Sequence, residues 1–238
     1  MNSLYIVIPA YNEEGNIDKV IREWHEVVTK IGGNSRLVIV DDGSKDGTYK
    51  RLLNLKDELA YLVPITKPNG GHGAAILFGY NYAIIHQAEY IFQTDSDGQT
   101  FASEFWQFWQ NRQNYEVQIG YREKRQDGFL RVMISKALKL TLAIIFKLNI
   151  ADANAPFRLM RTCTVEKYIS LVPKDFNFSN VLFSVLFEKN KVLMRYVPIT
   201  FRQRQGGRSF VNLKNVFKVG SKAIKDFICV KKHLESVK

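Results

Sequence analysis

The sequence predicts an α/β fold: a mostly parallel sheet with helices on both faces. Three observations predict it. Short apolar runs rich in β-branched residues alternate with segments of helical spacing through the N-terminal half. The strand-like runs are continuously apolar, as strands buried on both faces are. Three of them end in a polar turn, the position at which open α/β sheets bind ligands.

The elements follow in order. Leu4–Ile8 reads as a strand and runs into Pro9-Ala10-Tyr11-Asn12-Glu13. Glu13–Lys30 has helical spacing and is closed by Gly32-Gly33. Arg36–Val40 is a second strand, ending at Asp41-Asp42-Gly43-Ser44, and a helix follows to about Leu59. Tyr61–Thr66 is a third strand; Asn69-Gly70-Gly71-His72-Gly73 then opens a helix over Ala74–His86. Tyr90–Thr94 is a fourth strand, capped by Asp95-Ser96-Asp97-Gly98, before a helix over Phe105–Arg112 and a fifth strand over Val117–Tyr121. The second half is less regular. It carries a long helix over Phe129–Asn149, a strand over Ala155–Met160, helices over Thr164–Leu171 and Ser179–Lys189, a strand over Val192–Pro198, an Arg/Gly-rich loop and a final helix from about Val211. No repeat, low-complexity segment or linker divides the chain. Residues 1–210 are therefore expected to form one domain, with 211–238 as a C-terminal amphipathic basic helix.

Composition bounds the function. Hydrophobic residues make up 46%, enough for a sizeable core. Cys163 and Cys229 cannot build a disulfide framework; a reducing compartment, with both thiols buried as small apolar groups, is the simplest expectation. Met1–Pro9 lacks the basic start of a signal peptide. No run approaches the roughly 18 apolar residues of a spanning helix. The expected location is the cytoplasm, peripheral at the cytoplasmic face of a membrane. Thirty-four basic against 23 acidic residues give a net charge of +11, which favours anionic partners. Nucleic acid is disfavoured among them, because the acids clustered at the strand ends would repel it.

Those acids carry the chemistry. Asp95 and Asp97, two apart in turn backbone, can share a hard divalent cation such as Mg²⁺ or Mn²⁺, with Gln99 as a further oxygen ligand. A plain solvated turn is the competing reading, since Asp, Ser and Gly all favour turns. Asp42 can accept hydrogen bonds from a ribose hydroxyl or a base N–H, while Ser44 or Asp46 caps the next helix. The glycines before His72 let the backbone approach a phosphate at a helix N-terminus, although a tight connection explains them as well; His72 is a catalytic candidate on the same loop. Arg131 and Ser135, four apart on one helix, share a face on which Arg can grip phosphate oxygens and Ser can donate.

In this order the motifs resemble the family 2 glycosyltransferases of GT-A fold. The likeness runs through Ile8–Glu14, Val40–Thr48, Asn69–Gly73 and Asp95–Asp97. It implies that Pro9, Tyr11, Glu13, Val40 and Asp42 hold the nucleoside of a nucleotide-sugar donor. It also implies that Asp95, Ser96 and Asp97 meet the donor diphosphate and its metal. The second half looks like the dolichol-phosphate mannosyltransferase branch, through Gly120-Tyr121-Arg122, Arg131 with Ser135, Asp152 to Arg158, Val197-Pro198-Ile199 and Arg204-Gln205-Gly206-Gly207-Arg208-Ser209. By that resemblance Arg122, Arg131 and Ser135 hold the phosphate of a polyprenyl phosphate acceptor, and Arg204 holds donor phosphate. Phe210 stands where that branch often has Lys, so a donor contact is lost or passes to Arg208.

A hydroxyl acceptor needs a general base, whereas a phosphate is already anionic at neutral pH. The acceptor half shows no acid pair; Asp175 and Glu188 are isolated, and Asp152 reads as structural. The expected reaction is therefore direct displacement with inversion. A glycan acceptor in polysaccharide synthesis is the alternative. A sugar nucleotidyltransferase would need a glycine- and Lys/Arg-rich loop after the first strand, and Pro9–Glu13 is not one. Lys214, Lys218, Lys222 and Lys225 form one stripe of the last helix, with Val216, Phe217, Ala223, Ile224, Phe227 and Ile228 opposite. Such a helix either packs on the core or lies on an anionic membrane or a membrane-protein partner. Phe129–Asn149 is a second membrane contact in that reading.

Overall fold

The computed structural model describes residues 3–122, 129–174, 176–202, 220 and 223–232, with 129–132 described in backbone only. Seven strands form one sheet: β1 (Leu4–Ala10), β2 (Arg36–Asp41), β3 (Leu62–Thr66), β4 (Tyr90–Gln93), β5 (Val117–Arg122), β6 (Arg158–Arg161) and β7 (Met194–Ile199). Their order is β3-β2-β1-β4-β6-β5-β7. All neighbours pair parallel except β6, which is antiparallel to both β4 and β5. The chain steps outward from β1 to β3 and then returns to place β4 on the other side of β1. The crevice between the ends of β1 and β4 is thus the topological switch point.

Helices cover both faces, and alternation along β1 shows how. Tyr5 and Val7 point into one core with α3 (His72–Ile85) and α7 (Ser179–Lys189). Leu4, Ile6 and Ile8 point into the other with α1 (Ile17–Ile31), α2 (Thr48–Glu58) and α4 (Phe105–Gln110). α7 is buried from Ser179 through Phe187, which is why its sequence lacks a polar stripe. The remaining helices are α5 (Phe129–Phe146) and α6 (Thr162–Ile169). Residues 223–232 are helical, with Phe227 packed on Phe146, Phe176 and Phe178 at ring-centroid distances of 6.2, 5.7 and 6.0 Å.

Several expectations are corrected. The first helix begins at Ile17, not Glu13, because Asn12 takes a positive φ of 54° and the Glu13 carbonyl closes a turn on the Asn16 and Ile17 N–H groups. The long helix ends at Phe146, where Lys147 adopts φ 58°. The sixth strand is shifted to Arg158–Arg161 and runs backward. Both cysteines are exposed rather than buried. Cys163 faces outward because Thr162, Thr164, Val165 and Tyr168 form the buried side of α6. Of the apolar residues expected to share one side of the last helix, Ala223 and Phe227 are buried, but Ile224 and Ile228 are exposed beside Lys225. Arg204, Arg208, Ser209, Phe210, Asp175, Lys214, Lys218 and Lys222, like the Arg131 side chain, lie outside the described residues.

Candidate active site

Three strand ends meet around a cavity of about 400 Å³. Pro9, Ala10, Tyr11 and Glu13 come from β1, Asp42 from β2, and Asp95, Ser96 and Asp97 from β4; Asn69, Gly71, His72 and Ala75 complete it from the start of α3. The first two loops are zipped together. Asn12 N–H donates to Ser44 Oγ at 2.9 Å, Lys45 N–H to Asn12 Oδ1 at 2.8 Å, and Glu13 N–H to Thr48 Oγ1 at 2.9 Å. Gly43 permits the next approach: its φ is +68°, and a Cβ there would lie 2.9 Å from the Asn69 nitrogen.

Asp42 is nearly buried, and protein groups engage its carboxylate. Gly70 N–H donates to one oxygen at 3.0 Å and Gly71 N–H to the other at 2.7 Å, while the Lys67 ammonium pairs with it directly. Asn69 Nδ2 donates to the Asp42 carbonyl at 2.8 Å. The glycine loop is thereby wrapped on Asp42 and forms one wall of the cavity. At the opposite side His72 Nε2 lies 3.0 Å from Asp95 Oδ1. The imidazole is about half exposed at the mouth of the cavity; crowding by the surrounding protein pulls its pKa down, but the charge and hydrogen bond of Asp95, with the charges of Asp97 and Asp42, outweigh it and hold the pKa above its usual value.

Asp97 Oδ1 accepts the Gln99 N–H at 3.0 Å, and the Ser96 carbonyl accepts Asn16 Nδ2 at 2.8 Å. No three His, Cys, Asp or Glu side chains form a cage among the described residues. Asp95 and Asp97 both face the cavity, which suits a hard cation that keeps waters and takes one or two carboxylates plus phosphate oxygens. Gln99 does not line the cavity; its Nε2 donates to the Arg202 carbonyl at 3.2 Å. Val40 does not line it either, since its side chain belongs to the core under α3.

On the other side of the rim, Arg122 at the end of β5 is mostly buried rather than solvated. Its Nε donates to Asp152 Oδ2 at 3.1 Å and its guanidinium lies 4.8 Å from the Phe201 ring centre. Ser135 lies half-exposed on α5. Arg158 is wholly buried and holds the approach to Asp152, donating to the Ala155 carbonyl at 2.6 Å and the Ala153 carbonyl at 2.7 Å. Sequence reasoning passed over Lys67, Asn16 and Arg202. Lys67 stands two residues before the Asn-Gly-Gly loop, a visible signal; Asn16 and Arg202 act across distant loops and carry none.

A mostly parallel sheet with an acidic, nucleotide-sized crevice at the β1/β4 switch point is a GT-A-like architecture. The chain belongs to glycosyl transferase family 2, whose model matches residues 5–163. It is 27% identical over 168 residues to an undecaprenyl-phosphate 4-deoxy-4-formamido-L-arabinose transferase of Pseudomonas aeruginosa, covering 69% of this chain and 49% of that protein. The chain thus spans about half the length of the first curated relatives it matches. It is 26% identical over 224 residues to a polyprenol monophosphomannose synthase of Mycolicibacterium smegmatis, covering 89% of this chain and 82% of that protein. Its fold is shared by glucosyl-3-phosphoglycerate synthase of Mycobacterium tuberculosis, solved with Mn²⁺, UDP and glucosyl-3-phosphoglycerate. That match has a TM-score of 0.70 at 14% identity and covers 97% of this chain and 80% of that one.

Proposed function

We propose that this protein transfers a sugar from a nucleotide-sugar donor to a polyprenyl phosphate, with inversion at the anomeric carbon. The observation that carries the reading is the cavity itself, walled by Asp42 on one side and by Asp95 and Asp97 on the other, with Arg122 on the same rim. The names of the relatives support the acceptor: both curated proteins are transferases or synthases of polyprenyl-phosphate sugars.

In this reading Pro9, Tyr11 and Glu13 flank the nucleoside, and the Asp42 loop orients it. Asp97, with Asp95, would hold Mg²⁺ or Mn²⁺, which supplies charge neutralisation for the leaving diphosphate. Ser96 lies against the same phosphates. Arg122 presents positive charge to the incoming acceptor phosphate, aided by Arg131 and Ser135 of α5; Arg204 meets donor phosphate. The acceptor oxygen is already ionised and needs no base. Asp152 fits this scheme, since Arg122 ties it up and it orients that arginine instead of accepting a proton. Asp95 paired with His72 is likewise a positioned ligand.

Incubation with a panel of nucleotide sugars, Mg²⁺ or Mn²⁺ and polyprenyl phosphate, read by product mass, tests the whole scheme. A polyprenyl-phosphate sugar and a free nucleoside diphosphate are the expected products. Asp97→Ala should abolish them while leaving the fold intact, and chelation of the metal should do the same reversibly. Full turnover by Asp97→Ala would remove the metal assignment; pyrophosphate release would point to nucleotidyl transfer.

The same reading places the protein peripherally at the cytoplasmic face of a membrane. Met133, Leu140 and Ile144 of α5 and Ile224 and Ile228 of the 223–232 helix are exposed large apolar side chains. Lys136, Lys139, Lys225 and Lys232 are exposed among them. No helix among the described residues is long and apolar enough to cross a membrane. Exposed apolar side chains beside lysines suit the interface of an anionic lipid surface.

A further inference from the structure

The Asp95–Thr100 turn is held by a residue from the far end of the rim. Arg202 follows β7, three positions away from β4 in the sheet. Its N–H donates to the Gln99 carbonyl at 2.9 Å, and Gln99 Nε2 returns a bond to the Arg202 carbonyl at 3.2 Å. The guanidinium then spreads over the turn. Nε donates to the Gly98 carbonyl; one terminal nitrogen donates to the Thr100 carbonyl at 3.1 Å and to Glu23 Oε2 at 2.7 Å. The plane lies 4.5 Å from the Phe101 ring centre. Glu23 is itself fixed, since its other oxygen accepts the Ala102 N–H at 3.1 Å.

Three consecutive residues of the turn are therefore gripped by one side chain and its own backbone. The middle one, Gln99, donates its N–H to Asp97 Oδ1 at 3.0 Å. The chain of contacts runs from Glu23 to Arg202, from Arg202 to Gln99, and from Gln99 to the carboxylate of Asp97. Gly98 sits at φ +69°, a conformation glycine adopts without strain, and the contacts from Arg202 restrain the turn there. Arginine suits this position because its planar fork can serve carbonyls and a carboxylate at once, which a lysine ammonium cannot do in this arrangement.

We propose that Arg202 is a positioning residue for the divalent cation: it sets the orientation of Asp97 by clamping Gly98, Gln99 and Thr100. The inference rests on the metal assignment to Asp97 under Proposed function. Loss of groups that orient a metal ligand costs about 10–100-fold in metal affinity.

The test is Mn²⁺ binding, followed by the paramagnetic signal of the free ion, in the unaltered protein and in Arg202→Met, Arg202→Lys and Glu23→Gln. UDP and GDP are added as nucleotide probes, with and without chelator. Arg202→Met should weaken Mn²⁺ about tenfold or more and Arg202→Lys by less. Metal-free nucleotide binding at the Asp42 loop should stay within about twofold, and excess Mn²⁺ should restore metal-dependent binding. That split separates positioning from a general loss of structure, which would weaken both. Equal Mn²⁺ affinity in both Arg202 variants overturns the proposal. If Arg202→Met does not fold, Glu23→Gln decides: weaker Mn²⁺ binding supports the clamp and an unchanged affinity overturns it. Absence of Mn²⁺ binding in the unaltered protein, with or without nucleotide, overturns the metal assignment itself and is distinguishable because no variant is needed to see it.

Discussion

Asp46 shows how one exposed carboxylate can organise a functional loop. It accepts the Thr48 N–H at 3.0 Å, the Thr48 hydroxyl at 2.5 Å and the Glu14 N–H at 3.3 Å, and so ties the β2–α2 turn to the segment after β1. Burial alone would raise its pKa, but these hydrogen bonds to the charged form outweigh it and hold the pKa below the usual 3.8. A group whose folded pKa is depressed stabilises the fold above its unfolded pKa and loses that contribution as pH falls through the folded value. Asp46→Asn should therefore cost stability at neutral pH, and the gap to the unaltered protein should close as pH drops below 3.8, as read by urea unfolding across pH. At this scale the sequence was most legible where acids directly follow apolar strands, as Asp42, Asp95 and Asp97 do. It was opaque where the role depends on a partner far along the chain. Asn16 reaches the Ser96 carbonyl and Arg202 reaches Gly98, and no spacing announces either contact.

The elements themselves were largely legible, because each strand and helix carries its own period of apolar residues. α7 begins and ends where its pattern says. The direction of β6 was not, since a short apolar run looks the same whichever way it points. Its reversal matters. The other strands deliver residues to the rim from their carboxyl ends, whereas β6 delivers what precedes it, including Asp152, which is how that acid meets Arg122. A search limited to strand ends would have missed the pair. The 223–232 helix is attached mainly through Phe227, which is 1% exposed among Phe146, Phe176 and Phe178. Phe227→Ala removes that anchor at a cost of about 3 kcal/mol. Hydrogen exchange should quicken in 223–232 and at the end of α5 first, while β1, β2 and β4 stay protected.

Over the whole molecule, a sheet with an acidic crevice at the ends of β1, β2 and β4 is combined with a net charge of +11. In the peripheral arrangement proposed above, positive charge draws the protein toward anionic lipid, and the attraction weakens as salt rises. The exposed thiols make that directly measurable. Cys229 lies on the same outer face of the 223–232 helix as Ile224, Lys225 and Ile228, whereas Cys163 sits at the start of α6. The two native thiols thus supply two labelling points, each read alone once the other is replaced by serine. An environment-sensitive fluorophore on Cys229 should shift to the blue when anionic vesicles are added and return as salt is raised; the same dye on Cys163 should not respond. The pair of thiols that disagreed with the expectation of burial is a built-in ruler, one mark on the surface proposed to meet lipid and one mark away from it.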